Sequence, residues 1–269
     1  MPQRKKKKKK KIGVSLPTSK TSVASVPKDY IMAFYGPPGV GKTTFVENLA
    51  ERVLFLSTDR GTRFFSALRQ EFNSYKELNQ VLTALEQPGV AENYDIVCFD
   101  HIDDVVNMIE DHTCDELGVD GLGDAGYGKG WKNYKKGIWN VVQRVLKLNL
   151  GVIFISHETL KTVTTKVIET TRTMPDMNKS AWKTIIPKCD IVGYCGFRLV
   201  KSKGKKIQMR TLETTPREDL YAKDRTNRST PEDGKVEKLD GKLFIQTFGK
   251  GVSKHGKKKK VSRKKISRK

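Results

Sequence analysis

Tyr30-Ile-Met-Ala-Phe-Tyr35-Gly36-Pro37-Pro38-Gly39-Val40-Gly41-Lys42-Thr43-Thr44-Phe45 is the stretch on which the fold turns. It opens as a β-rich apolar run and passes into a bend of the form G-x-x-x-x-G-K-[ST]. A helical pattern carrying Phe45, Val46, Leu49 and Ala50 then follows. Glycines in such a bend let successive backbone N–H groups turn inward without a Cβ in the way, and the helix N-terminus adds a favourable potential for negative charge. Gly36, Pro37, Pro38, Gly39, Val40, Gly41, Lys42, Thr43 and Thr44 are therefore expected to hold the phosphates of ATP. Lys42 would supply a point charge to the β and γ phosphates, and the Thr43 hydroxyl would ligate Mg2+.

Outward from this bend, short β-rich runs at 53–57, 95–99, 151–156 and 190–194 alternate with helical patterns, as crossover-connected parallel strands do. Ser74 and Glu77 read as a capping box opening a helix with Leu78, Val81, Leu82 and Leu85 on one face. Trp131, Tyr134, Ile138, Val141, Val142 and Val145 form a second stripe, stopped by Gly151. The six glycines within 117–132 predict a mobile surface loop ahead of it. Past Phe197 the pattern becomes hairpin-like, with Ser202-Lys-Gly204 as a turn between 197–201 and 206–213 and a late strand at 242–248. The fold class is α/β, a mainly parallel sheet flanked by helices and finishing in antiparallel strands.

A nucleotide site also needs a carboxylate at the tip of a neighbouring strand, to hold Mg2+ through its water shell. Asp100 closes an apolar run and takes that role, although it or Asp103 is equally placed to cap the helix beginning near Ile102. The residue after Asp100 is His101 rather than Glu, so a base must come from elsewhere; Asp59, ending the run after the first helix, is the candidate to orient the attacking water. His157, at the tip of the run 151–156 and followed by Glu158, is placed to touch the γ-phosphate and report its presence to the next segment.

The chain has 269 residues, 36% of them hydrophobic, with 52 Lys+Arg against 30 Asp+Glu. That is ample for a core and excludes wholesale disorder. Much of the +22 charge sits at the ends, eight basic residues in 4–11 and ten in 254–269, without an acid in either stretch. The expected organisation is a disordered basic tail over 1–28, one ATPase domain over 29–250 and a second disordered basic tail over 251–269. No apolar run approaches the ~18 residues of a bilayer span, and no secretory h-region follows the first lysines, so a cytoplasmic location is expected, without a membrane partner. Cys98, Cys114, Cys189 and Cys195 lack C-x-x-C spacing, and two of them sit in apolar strand-like runs where they read as small buried hydrophobes.

Taken together, the bend, Asp59, Asp100 without an adjacent Glu, and Ser156-His157-Glu158 resemble the RecA-like P-loop ATPases, and among them the compact phage-type ATPases of single-strand annealing and recombination. The resemblance runs over about 31–225. It implies a DNA-dependent ATPase acting on single-stranded DNA as a homo-oligomer, ring or filament. Lys223-Asp224-Arg225 has the K-x-R form that, in hexameric helicases of this superfamily, reaches the neighbour's γ-phosphate; by that similarity Lys223 and Arg225 are trans-acting fingers. Family members usually carry Glu where Asp59 stands. By location, 159–183 is the DNA-contacting segment, with Lys161, Lys166, Arg172, Lys179 and Lys183 for phosphates and Trp182 for a base; a solvated hairpin is the plainer alternative. The tails suit counterion-releasing contact with nucleic acid. Two other classes fit the same motifs: a P-loop kinase of a nucleotide or other small acceptor, and a nucleic-acid-binding protein with regulatory nucleotide binding. Asn178-Lys179-Ser180-Ala181 lacks the acid of an N-K-x-D guanine reader.

Overall fold

A computed structural model of the chain describes residues 18–19, 24–58, 66–164, 169–202, 205–229 and 237–255. Asp59, Lys166, the turn residues 203–204 and the cationic stretches at 4–11 and 257–269 lie outside them. In chain order the elements are β1 (Ile31–Tyr35), α1 (Lys42–Glu47), β2 (Val53–Ser57), β3 (Leu68–Glu71), α2 (Tyr75–Leu85), β4 (Ile96–Asp100), α3 (Ile102–Leu117), α4 (Lys129–Leu146) and β5 (Gly151–Ser156). There follow β6 (Glu158–Thr164), β7 (Glu169–Pro175), α5 (Lys179–Ile185), β8 (Ile191–Ser202), β9 (Lys205–Glu213), β10 (Lys223–Asp224), β11 (Glu237–Lys238) and α6 (Gly241–His255).

One sheet runs β11-β9-β8-β1-β5-β4-β2-β3, with β10 on β8. The strands from β8 to β3 are parallel; β9, β10 and β11 are antiparallel to their partners. Every residue of β2, β4 and β5 is buried, which is why these runs read as continuous apolar stretches rather than alternating ones. The order sets β5, whose tip leads to His157, between the strand feeding the bend and the strand ending in Asp100. All the crossovers thus deliver the chemically loaded residues to one end of the sheet.

Helices cover both faces. On one face α2, α3, α4 and α5 bury Leu78, Leu82, Ile109, Ile138, Val142 and Ile185 against Tyr35, Phe99 and Phe154; on the other α1 and α6 close over Phe34, Phe55 and Ile155. The capping box forms in modified shape: the Ser74 hydroxyl accepts from Glu77 N (3.2 Å), while the Glu77 carboxylate accepts from Asn73 N (2.8 Å).

Three expectations need correction. The segment 242–248 is part of the helix α6, not a strand. Gly241, Phe244, Ile245 and Phe248 fall at i, i+3, i+4 and i+7, a helical period that a short apolar run also hides as alternation. Asp240 caps it, its carboxylate accepting from Leu243 N (3.2 Å), and Phe244 and Phe248 bury against Phe34, Phe45 and Tyr30. The glycine-rich connection before α4 is pegged rather than loose: Leu122 is buried, and its carbonyl lies so close to Gly130 that a Cβ there would sit 2.3 Å away. Trp131, read as core, is 43% exposed, because it lies on the flank of α4 rather than under it.

Candidate functional site

Gly36 begins the bend with φ +151°, and a Cβ at that position would meet the Cys195 carbonyl oxygen at 1.9 Å. Only glycine lets β8 pass so close to the end of β1. Gly39 and Gly41 are also left-handed, at φ +74° and +99°. The first intrahelical bond of α1 is donated by Phe45 N to Gly41 O (2.9 Å), so the amides ahead of it have no helical acceptor and stand ready for an anion. Lys42 is 5% exposed, and its Nζ donates to the carbonyls of Gly36 (2.8 Å) and Pro37 (3.1 Å). These oxygens stand where phosphate oxygens would compete for the ammonium. Burial pulls the Lys42 ammonium below its usual range, against the opposing charges of Asp100, Asp103 and Glu158.

Thr43 Oγ1 donates to Asp100 Oδ2 at 2.9 Å, and Asp100 is 1% exposed. A hydroxyl and a carboxylate in register, at the mouth of a phosphate cradle, are hard oxygen donors that suit Mg2+. Among the described residues no group of three or more His, Cys, Asp or Glu could hold a metal by itself. That fits an ion bound mainly by phosphate and water, with only one or two protein ligands.

Neither Asp100 nor Asp103 caps α3: its N-cap position is His101, which makes no side-chain cap bond. Asp103 instead holds His157, accepting from Nδ1 (2.6 Å) and from the backbone N (3.3 Å). The His157 and His101 rings lie 4.2 Å apart, and His101 Nε2 is 3.3 Å from Asp100 Oδ1. Thr58 completes the network, donating to Asp104 Oδ2 (2.7 Å) and accepting from His101 N (3.3 Å). Glu158, next to His157, has its Oε2 buried without a hydrogen-bond partner among the described residues. Burial together with the Glu158 charge pushes the Tyr194 hydroxyl above its usual range.

Lys42 and Thr43, at the start of α1, lie at the same end of the sheet as Asp100 and His157, at the tips of β4 and β5. Lys223 and Arg225 do not join them. Lys223 Nζ donates to the carbonyls of Ile186 and Cys189 behind α5, and burial followed by the Arg225 charge lowers its pKa. Arg225 N bonds Asp190 O and Asp190 N bonds Ile31 O, which sets Arg225 level with the start of β1. At about 3.3 Å per residue the bend is about 16 Å further along the sheet, out of reach of the arginine within one chain. Of the proposed DNA contacts, Lys161 donates to Met177 O, Arg172 to Glu218 O (2.9 Å), and Trp182 packs edge-on against Tyr221.

Asp103, which the sequence offers only as a helix cap, and Asp104, Thr58 and Tyr194, which it does not single out, join the site through contacts that the adjacency of the strands creates. Arg210 is another: its guanidinium lies against Gly41 and lines a cavity of about 310 Å³ with Thr44, Asn48 and Asp240 beside the bend.

Fold and site define a P-loop nucleotide-binding domain built on a mainly parallel sheet between two layers of helices. Residues 28–226 match the family model of AAA_24, an AAA domain, and the chain belongs to that family. It is also similar to the SPbeta prophage-derived uncharacterized protein YorG of Bacillus subtilis (strain 168), 23% identical over 132 residues. That match covers 47% of this chain and 40% of YorG, so less than half of the relative's length is spanned. Among solved structures, the KaiC-like protein PH0186 from Pyrococcus horikoshii OT3 aligns at TM-score 0.40 and 11% identity, over 70% of this chain and 79% of that one. Among the described residues no helix is long and apolar enough to cross a membrane.

Proposed function

We propose that the protein hydrolyses ATP in a single-stranded-DNA-dependent cycle, assembling as a homo-oligomer on the strand to promote annealing, recombination or replication. The observation that carries this is the join between the phosphate site and the β6–β7 hairpin. His157 O accepts from Asp176 N (2.9 Å), Ser156 Oγ accepts from the same amide (3.1 Å), and Tyr35 donates to the carbonyls of Thr173 (3.1 Å) and Tyr221 (2.6 Å). Both roots of the hairpin are therefore fastened to the tips of β1 and β5, where ATP would sit.

In this reading Lys42 leaves the carbonyls of Gly36 and Pro37 for the β and γ phosphates, and the P-loop amides orient the triphosphate. Thr43 and Asp100 would hold Mg2+, which neutralises charge on the phosphate oxygens. Asp59, by its place in the sequence, orients the attacking water, and Glu158 offers a further carboxylate beside the tip of β5. Asp103 keeps the His157 ring in place, its Nδ1 engaged and Nε2 left for the γ-phosphate. Lys223 and Arg225 act on a neighbouring subunit, since Arg225 is too far from its own bend. The prophage origin of YorG fits this setting without assigning an activity.

ATP turnover measured with and without single-stranded DNA tests the reading. Stimulation by DNA is the expected result. Phosphoryl transfer to a small acceptor would identify a kinase instead, and nucleotide binding without turnover a regulatory site.

A further inference from the structure

From Lys129 to Leu146, α4 has five basic residues and no acidic one, whereas the adjoining α3 has six acidic residues and no Lys or Arg. Lys136 shares a cavity with Glu116 and His112 of α3, while Lys135 lies on the opposite flank of α4 between Trp131 and Trp139. The buried face of α4 is complete with Tyr134, Ile138, Val141, Val142 and Val145. Trp131 and Trp139 lie beside that face and stand half open to solvent, 43% and 48% exposed, Trp131 meeting Tyr134 edge-on.

Trp131, Lys135 and Trp139 are spaced by four and form one stripe along the helix. That stripe lies toward α5: Tyr134 accepts from Asn178 at the start of α5, and Lys188 Nζ sits 5.1 Å from the centre of the Trp139 ring. Nor does the segment from Lys179 to Cys189 contain an acid. Two indoles about 12 Å apart along the helix, at about 1.5 Å per residue, match a short run of nucleotides stacked at about 3.4 Å. Flat rings for base faces, interleaved with ammonium groups for phosphates, are what single-strand binding without sequence preference requires.

We infer that the α4 flank carrying Trp131, Lys135 and Trp139, with Lys188 beside it, is a binding path for single-stranded nucleic acid, separate from the hairpin and from the cationic ends. The inference rests on the proposed DNA-dependent reading and adds to it a surface. Charge complementarity singles out a polyanion with aromatic faces. A second copy presenting its acidic α3 is the rival occupant.

The test uses the full chain, a dT oligonucleotide, and salt high enough to screen the cationic ends. Tryptophan fluorescence and affinity are read together with sedimentation. Binding should quench the unaltered protein. The Trp131→Ala/Trp139→Ala pair should lose most of the quench and about tenfold or more in affinity. The Trp131→Phe/Trp139→Phe pair, which keeps a ring at each place, should regain much of that affinity without the signal. Wild-type affinity in the alanine pair overturns the inference and leaves the DNA-dependent reading standing. Loss of self-association with unchanged dT affinity overturns it in favour of a second copy. An unaltered chain that binds no dT at any salt overturns the surface and the proposed function together.

Discussion

Individual residues at the site divide by how far their reason extends along the chain. Gly36, Lys42 and Thr43 belong to one contiguous motif whose physics is local, so the cradle is legible from a dozen residues. Asp103 is different. It lies 54 positions from His157, and only the adjacency of β4 and β5 brings the 2.6 Å contact about. From the sequence alone Asp103 is a helix-cap candidate; in the fold it is the group that orients the ring at the tip of β5. Asp103→Asn should lower kcat for ATP hydrolysis about tenfold to a hundredfold with little change in KM, because it disturbs orientation and not nucleotide binding. Steady-state kinetics decides this, and a loss confined to KM would contradict the role given to Asp103. Arg210 carried no signal at all, being a basic residue in a hairpin until β9 sets it against Gly41.

Among the elements, those buried on both faces were the most legible. The runs at β2, β4 and β5 admit little but apolar residues, whereas 242–248 is equally apolar as a strand or as a helix, and only the packing of Phe244 and Phe248 on α1 and β1 chooses. The strands of the hairpin β6–β7 are rich in Thr and hold few apolar residues, so the sequence offers a solvated hairpin there only as the plainer alternative to a DNA-contacting segment. Helices α2 and α4 are stapled by a forked pair, Arg144 Nε to Glu86 Oε1 (2.6 Å) and Nη2 to Oε2 (2.8 Å), with Arg144 also donating to Asn79 and Thr83. The hydrogen bond from Arg144 holds the Glu86 carboxyl below its usual range. The stabilisation is therefore whole above the unfolded carboxylate value of about 4.3 and is lost as pH falls through the lower folded value. Glu86→Gln should cost about 0.5–1 kcal/mol at neutral pH, a modest figure because Glu86 is 39% exposed, and its denaturation midpoint should converge with that of the parent in acid. A gap that persists unchanged at low pH would show that the charge of Glu86 is not what holds the two helices.

Across the whole molecule, the proposed function assigns nucleotide to a nearly neutral domain and non-specific attraction for nucleic acid to the cationic ends. If about six phosphates are neutralised, log K for single-stranded DNA should fall with log salt at a slope of about −5. Removing residues 1–11 and 256–269 should make that slope distinctly shallower; the same slope in the shortened chain would mean the domain surface carries the electrostatics. The finger role proposed for Arg225 adds a requirement on assembly, since it could act only where a neighbour supplies the phosphate. All of this presupposes that the bend between β1 and α1 holds a triphosphate. Calorimetric titration of the full chain with ATP, in the presence and absence of Mg2+, tests that directly. Saturable uptake at one site per chain, weakened by withholding Mg2+ and lost in Lys42→Ala, is the predicted result. No uptake, or uptake undiminished in Lys42→Ala, would contradict it.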